Sequence, residues 1–274
     1  MKKVLSLCAF AIVFAAAMVT TSCKKEGSLL DQLEENIVAS QDMATQQTVT
    51  EADEDLVDSQ VTERGGPTTC PTKTFSAAKG VYPLTVTLDF GTQGCTDDKG
   101  RLRKGIIKIV LSDSIFKTGA TRTVTFENYS VDDVKLERTV VLKNTGKDAK
   151  SQFTFTRTVT GGKATFPTGK TATWSATQNL TMTAGSATKI RTDDVWSVTG
   201  SKSGVSRNGK AYTSNVTEAL VKRGDCKYVV SGKVDIEVNS NTRSLDFGDG
   251  TCDEFGTLTL ANGNTKQIKL NRYW

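Results

Sequence analysis

The sequence has 274 residues, no histidine and only 19 aromatic residues. Without an imidazole, it has neither Ser-His-Asp nor Cys-His catalytic machinery, and it has no histidine-ligated metal site. It also lacks any Cys-x-x-Cys pair, the spacing that is typical of a zinc site. These absences leave carboxylates as the side chains on which catalysis would have to rest.

The N-terminus has the layout of a secretory signal peptide. Two lysines precede an apolar run at residues 4–19, and small polar residues at 20–22 lead to Cys23. The run is shorter than the about 20 apolar residues that span a bilayer. Residues 20–23 resemble a bacterial lipobox, although Thr20 stands where that pattern has leucine. The resemblance implies removal of residues 1–22 and lipid attachment to Cys23; ordinary cleavage that leaves a free Cys23 is the alternative.

Charge is divided unevenly along the chain. Residues 24–64 carry a net charge of −8, whereas residues 65–274 carry +11, and the whole-chain value of +5 conceals this division. We therefore predict an acidic tether at 23–65 and a basic body at 66–274. The basic residues are dispersed rather than clustered with aromatics, which argues against nucleic-acid binding.

The tether has one helical pattern. Ser28 opens a stretch that resembles a capping box, and Leu29, Leu30, Leu33 and Ile37 share one helical face, so we predict a short helix near 28–39. Gln, Thr, Asp and Glu dominate after it, a composition typical of disorder. We interpret this part as a solvated stalk; an acidic arm lying back on the basic body is the alternative.

From residue 72 onward, apolar residues recur at every second position. Such a pattern predicts strands with one buried and one solvated face. It is clearest near 84–90, 134–142 and 153–159, and Asn208-Gly209 and Asn262-Gly263 lie between later runs as type I′ turn candidates. We predict an all-β body, an antiparallel meander of about a dozen strands, because no helical crossover pattern separates them. The low aromatic content favours a flat or curved sheet with a modest core, and an open barrel, a closed barrel and a sandwich all remain compatible.

Four cysteines follow the tether: Cys70, Cys95, Cys226 and Cys252. In an exported protein this even number predicts two disulfides, for which three connectivities exist. Pairing of nearest neighbours would close two loops of similar length.

A short motif occurs twice. Leu-Asp-Phe-Gly at 88–91 precedes Cys95 by three residues, and the same tetrapeptide at 245–248 precedes Cys252 in the same way. Clustered carboxylates in the second copy make a weak calcium site candidate, because calcium prefers oxygen ligands; ordinary turn chemistry is the alternative. The candidate ligands are Asp246, Asp249, Asp253 and Glu254.

The stretch from Trp174 to Cys252, with its LDFGDGTCD segment at 245–253, resembles a group of predicted lipoproteins from Bacteroidota. The segment at 82–91 and the glycines at 100 and 105 are similar to the N-terminal block of that group. The resemblance implies an all-β protein on the outer membrane, with either face of the membrane open, and it transfers no catalytic residue.

Three functions are compatible with these patterns. A non-catalytic binding or structural module on the outer membrane is our first hypothesis, since no nucleophile–base pair or phosphate-binding loop is present. Its ligand is unknown, and a glycan and a lipid are both compatible. A lipid carrier that holds an acyl chain against a curved sheet is the second. The third is a glycosidase, with Asp193, Asp194, Glu218 and Asp246 as candidate carboxylates.

Overall fold

The computed structural model describes residues 24–61, 70–78, 80–97 and 100–270, and side chains from residue 37 onward. The predicted signal peptide and Cys23 lie outside these ranges, as does Trp274. The elements are α1 (Lys24–Val61), β1 (Thr72–Phe75), β2 (Leu84–Asp89), β3 (Cys95–Thr96), β4 (Leu102–Leu111), β5 (Thr121–Val131), β6 (Val134–Lys147), β7 (Phe153–Thr165), β8 (Thr171–Ala184), β9 (Val195–Val205), β10 (Ala211–Arg223), β11 (Val229–Val238), β12 (Asn241–Asp249), β13 (Phe255–Thr259) and β14 (Thr265–Lys269).

The strands form one antiparallel sheet of fourteen strands. Each strand pairs with its neighbour in the chain, except that β2 pairs with β4 and the two-residue β3 adds to the end of β4. Within the described residues, β1 and β14 are edge strands that do not pair with each other. The predicted meander is confirmed, and the sheet is open rather than a closed barrel or a sandwich.

Alternation of side chains produces the strands. In β8 the odd-numbered positions from Thr171 to Asn179 are exposed and the even-numbered ones are buried, as expected for a pleated strand with one covered face. The two Asn-Gly hairpins differ from the prediction. Only Gly209 and Gly263 have positive φ, and the asparagines before them do not. Each turn is therefore a three-residue loop that ends in a left-handed glycine rather than a type I′ turn.

The predictions for the length of the helix and for the exposure of the acidic segment after it were wrong. A single helix runs from Lys24 to Val61, and every residue from Ala39 to Glu54 is buried. Residues 40–61 are thus neither disordered nor a solvated stalk, and they belong to the same folded unit as the sheet. Ion pairs with the sheet explain the helix, since its own apolar pattern is weak. No helical stretch in the described ranges is long and apolar enough to cross a bilayer.

The sheet curls around α1 and contacts it from both edges. Near one edge, the Thr48 hydroxyl donates to the carbonyl of Leu270, just after β14, at 3.0 Å. At the other edge, Lys73 of β1 donates to the carbonyl of Gln60 at 3.2 Å. The helix therefore occupies the interior of the open sheet and links its two edges.

Two disulfides staple the ends of strands. Cys70 bonds to Cys95 and Cys226 bonds to Cys252, so the predicted number of disulfides is confirmed and the nearest-neighbour connectivity is found. In both copies of the Leu-Asp-Phe-Gly motif the aspartate turns outward, and its carboxylate accepts a hydrogen bond from the glycine two residues later. The repeated motif is one structural solution used twice.

Candidate functional site

The inner face of the sheet carries cations at positions where a core normally has apolar residues. Seven buried lysine and arginine side chains lie on this face in the described part of the chain, and none is more than 6% exposed. We call this set the inner cations: Arg103, Arg122, Arg138, Arg157, Lys202, Lys222 and Arg243. A buried cation is stable only if it is paired or loses its charge, so the partners of these residues determine which of them remain charged.

Part of the set lies in one row across the sheet. Arg122 of β5 is opposite Leu142 of β6, Leu142 is opposite Arg157 of β7, and Arg157 is opposite Gln178 of β8. The helix matches this row with polar residues spaced four, three and four apart, which share one helical face. Those residues are Gln47, Glu51, Glu54 and Asp58.

The centre of the row is a pair between Arg157 and Glu51. Arg157 Nη2 lies 2.5 Å from Glu51 Oε1, and Nη1 lies 3.1 Å from Oε2, which makes the pair bidentate. Gln178 accepts from Arg157 at 3.1 Å and donates to Gln47 at 3.0 Å, and Gln47 donates to Glu51 at 2.6 Å. Burial alone raises the pKa of Glu51, but Arg157 outweighs it and holds that pKa below its ordinary value.

Arg122 holds two carboxylates at the next position of the row. Its guanidinium donates to Glu54 and to Asp58. Burial raises the pKa of Glu54 above its ordinary value, and the negative charge of Asp58 raises it further. Arg122 lowers this pKa but offsets only part of the effect of burial. The interior therefore contains carboxylates whose pKa values are shifted in opposite directions.

Asp53 accepts hydrogen bonds from three side chains of the sheet. Arg103 Nη1 lies 2.5 Å from its Oδ1, the Tyr129 hydroxyl donates to it at 2.9 Å, and Arg138 donates to its Oδ2. Burial opposes ionisation, but Arg138 and Arg103 outweigh it, so the pKa of Asp53 is lowered. Asp97 also pairs with Arg103 at 2.7 Å, outside the helix.

The acidic helix does not match every inner cation. Lys202 donates to the carbonyl of Met43 at 3.2 Å and has no carboxylate partner among the described residues. Burial and the nearby Arg157 lower the pKa of Lys202 to about 7. Arg243 donates to the carbonyl of Asn241 at 3.1 Å, and its Nε has no acceptor in the described part of the chain. The same is true of Arg122 Nε and of Arg138 Nε and Nη1.

The outer face of β7–β10 has a different character. A depression of about 490 Å³ lies over these four strands. Two cross-strand rows of small polar side chains line it, the first formed by Thr158, Thr177, Ser201 and Asn215, and the second by Ser175, Ser203 and Thr213 with Thr160 beside them. The lining contains no aromatic residue and no carboxylate, and the amine of Lys202 points to the interior.

Irregular pairing flanks this depression on both sides. The register between β7 and β8 shifts between Val159 and Gly162, and the register between β9 and β10 shifts between Asn215 and Leu220. A Cβ at Gly162 would lie 2.5 Å from the ring of Trp174, so the strand approaches that ring as only glycine permits. Such bulges bend strands locally, and here they bound the polar surface.

The structure does not gather the carboxylates predicted to bind calcium. Asp246, Asp249 and Asp253 each accept a hydrogen bond from the backbone two residues later, and Glu254 pairs with Lys269 at 2.9 Å. Across the described ranges, no three acidic or cysteine side chains converge as a metal site would require. These aspartates stabilise turns, which is the alternative to a calcium site.

The candidate glycosidase carboxylates lie in two separate places. Asp193 accepts from the Thr188 hydroxyl at 2.9 Å, and Asp194 is buried beside the backbone of Gly224. Glu218 pairs with Lys233 at 2.7 Å, and Asp246 lies 3.8 Å from the same amine. Glu218 and Asp246 thus share one lysine on the exposed face of the sheet.

The sequence prediction missed the inner cations and the burial of the acidic segment. Arg138 and Arg157 stand on the apolar face of their strands and interrupt an otherwise regular series, as do Lys202 and Lys222. Cations at core-facing positions require acidic partners, and the only strongly acidic segment is residues 24–64. These two observations together would have placed the acidic segment inside the sheet.

Comparison of the chain with protein-family models, with curated proteins and with solved structures gives no match.

Proposed function

We propose that this chain is a lipid-anchored, non-catalytic binding module of the outer membrane and that its ligand is a neutral glycan. The observation that carries the proposal is the polar depression on the outer face of β7–β10, lined by hydroxyl and amide side chains. Its volume of about 490 Å³ lies in the range of small-molecule sites in proteins.

The lining chemistry suits an uncharged polyol. Each Ser or Thr hydroxyl both donates and accepts a hydrogen bond, which is what the hydroxyls of a neutral sugar require. Thr177 and Ser201 are directly opposite each other on β8 and β9, at the centre of the first row. A charged ligand would find no counter-charge in the lining, because its one cationic residue, Lys202, directs its amine to the interior.

Binding is better supported than hydrolysis. Glycosidases need two carboxylates that flank one bond. The candidate carboxylates here each serve a turn, a backbone contact or a lysine, and none lines the polar depression.

The anchor rests on the N-terminal pattern and on the resemblance to Bacteroidota lipoproteins. Helix α1 starts at Lys24 and its buried stretch starts at Ala39, so the helical rise between the two is about 22 Å. A lipid on Cys23 would therefore hold the sheet close to the membrane. Incorporation of labelled palmitate into the wild-type chain, and its loss in Cys23→Ser, is the expected result; equal labelling of both would contradict the anchor.

Calorimetric titration tests the ligand. The probes are neutral hexasaccharides of glucose, mannose and galactose, with a uronic-acid hexamer as the charged comparison. We expect one neutral series to bind, and Thr177→Val and Ser201→Ala each to weaken it about fivefold to tenfold, since each removes one hydrogen bond. Thr173→Val is the matched control, because Thr173 faces outward on the same strand without lining the depression.

Two results would overturn the glycan proposal. One is the absence of heat with all three neutral series while the protein is folded. The other is an equal loss of affinity in Thr173→Val and Thr177→Val, which would place the ligand elsewhere.

A further inference from the structure

The inner face of the sheet combines cations with a large apolar surface. Ile107, Ile109, Leu136, Phe155 and Phe247 are buried on this face, none more than 2% exposed. They lie on the same side of their strands as Arg138 and Arg157. We propose that this face is a binding site for an anionic amphiphile and that the acidic helix α1 is the internal competitor for it.

The helix is a polar occupant of an amphipathic groove. Its buried apolar residues are few and mostly small, namely Ala39, Met43, Ala44, Val49, Ala52 and Val57. Its carboxylates pair with the inner cations, and the cost of desolvating buried ion pairs offsets much of their attraction. A ligand with one anionic group and a long apolar chain would pair with one or two of the inner cations and would bury its chain against the apolar side chains of this face.

The groove also has hydrogen-bonding capacity that the helix does not use. Arg243 is 4% exposed and its Nε has no acceptor among the described residues, and Arg138 leaves both Nε and Nη1 without one. Lys202 reaches only a backbone carbonyl of the helix, Met43 O, at 3.2 Å. Unused buried donors are costly. An anionic head group would supply the oxygens that these side chains lack.

The helix can leave the interior between the two edge strands without breaking any hydrogen bond between strands. In the described part of the chain, β1 and β14 are not hydrogen-bonded to each other. The helix bridges them through Thr48 at Leu270 and through Gln60 at Lys73. Displacement would break those two contacts and the ion pairs, and would leave the sheet and both disulfides intact.

This inference is independent of the proposed glycan site, because the two sites lie on opposite faces of the sheet. The probe is cis-parinaric acid, an anionic C18 acid whose fluorescence rises in an apolar site, and the matched comparison is its uncharged alcohol. The protein is the full chain after signal removal. We expect the wild-type chain to bind the acid more tightly than the alcohol. The variant Glu51→Gln/Asp53→Asn should bind the acid about tenfold more tightly than the wild type does, because weaker docking of the helix raises the fraction of molecules whose inner face is open to the ligand.

A second variant removes cations from the inner face of the sheet. Arg138→Gln/Arg157→Gln should reduce the preference for acid over alcohol, because two of the inner cations are removed. Asp133→Asn is the control for a carboxylate change outside the groove; Asp133 pairs with Lys104 and is exposed. Far-ultraviolet circular dichroism and intact disulfides establish that each variant is folded.

Hydrogen exchange of the backbone amides at 39–61 in the wild-type chain provides a measurement that needs no variant. Faster exchange with saturating parinaric acid, while the strands stay protected, is the expected result. The proposal is overturned by an absence of binding, by equal binding of acid and alcohol to the wild type, or by acid binding that leaves the exchange of these amides unchanged.

Discussion

Arg157 and Glu51 form a bidentate ion pair at 2.5 and 3.1 Å, although 106 positions separate them in the sequence. Neither side chain is more than 7% exposed. The pair joins the middle of the sheet to the middle of α1, and the acidic segment is therefore a structural component of the folded unit.

Loss of one partner of this pair should be costly. Glu51→Gln and Arg157→Gln should each lower the free energy of unfolding by about 3–5 kcal/mol, because a buried charge is left uncompensated. Glu51→Gln/Arg157→Met together should cost less than the sum of the two single effects. Urea denaturation measures all three. Glu137→Gln, which breaks an exposed pair with Lys135, is the control and should cost about 1 kcal/mol or less.

Lys202 should make stability rise with pH in the alkaline range. Its pKa is lowered to about 7 in the folded state, whereas an unfolded lysine has a pKa of about 10.4. Between these values the unfolded state binds one proton more, so the free energy of unfolding should increase by about 1.4 kcal/mol per pH unit. The chain has no histidine to titrate over the same range.

Urea unfolding between pH 7.5 and 9.5 checks this slope. The range ends below pH 10 because burial raises the pKa values of Tyr129 and Tyr212 in the folded state, and ionisation of unfolded tyrosines would reverse the slope. Lys202→Met should flatten the curve. An equal slope in the wild type and in Lys202→Met would show that Lys202 is not buried as described.

Gly162 should not tolerate a side chain. Its Cβ would meet the ring of Trp174 at 2.5 Å and the Trp174 carbonyl at 2.7 Å, and crowding of this kind costs about 1–3 kcal/mol. Thermal unfolding of Gly162→Ala should show this loss. Gly161→Asn is the adjacent control, because Gly161 has open space and a φ of 63° that asparagine accepts; a larger loss in the control would refute the explanation.

The two disulfides should stabilise the sheet independently. Cys226 and Cys252 are 26 positions apart, a loop for which the chain-entropy estimate is about 3.5 kcal/mol. Cys226→Ser/Cys252→Ser should lower the free energy of unfolding by that amount. Peptide mapping without reduction should recover only the Cys70–Cys95 and Cys226–Cys252 linkages, and any other linkage would contradict the fold.

The strands were predictable because, in a strand with one buried face, apolar and polar residues alternate along the sequence. Residues 171–180 show this most clearly, with exposed and buried positions in strict alternation. Closure of the sheet was not predictable, because alternation is the same in open and closed sheets. It depends on whether β1 and β14 meet, and in this protein the helix stands between their edges.

The extension of the helix beyond residue 39 was missed for an energetic reason. Apolar burial stabilises most helices, and the stretch after Ile37 has too little of it to predict folding. Here the stabilising partners are Arg122, Arg157 and the other inner cations, which are distant in sequence. A local pattern in the acidic segment cannot report them. The acidic cluster at 246–254 shows a different limit of a sequence pattern, since Asp249 and Asp253 each accept a backbone hydrogen bond in a turn, a common role of aspartate.

The central claim is that the acidic segment is packed inside the sheet, and residue-resolved hydrogen exchange of the wild-type chain tests it most directly. We predict that the amides from Ala39 to Val57 are protected to the same degree as those of β7 and β8, because opening the helix would expose the inner cations. Exchange of the 39–57 amides within seconds, beside protected strand amides, would show that the segment lies outside the sheet and would contradict this account.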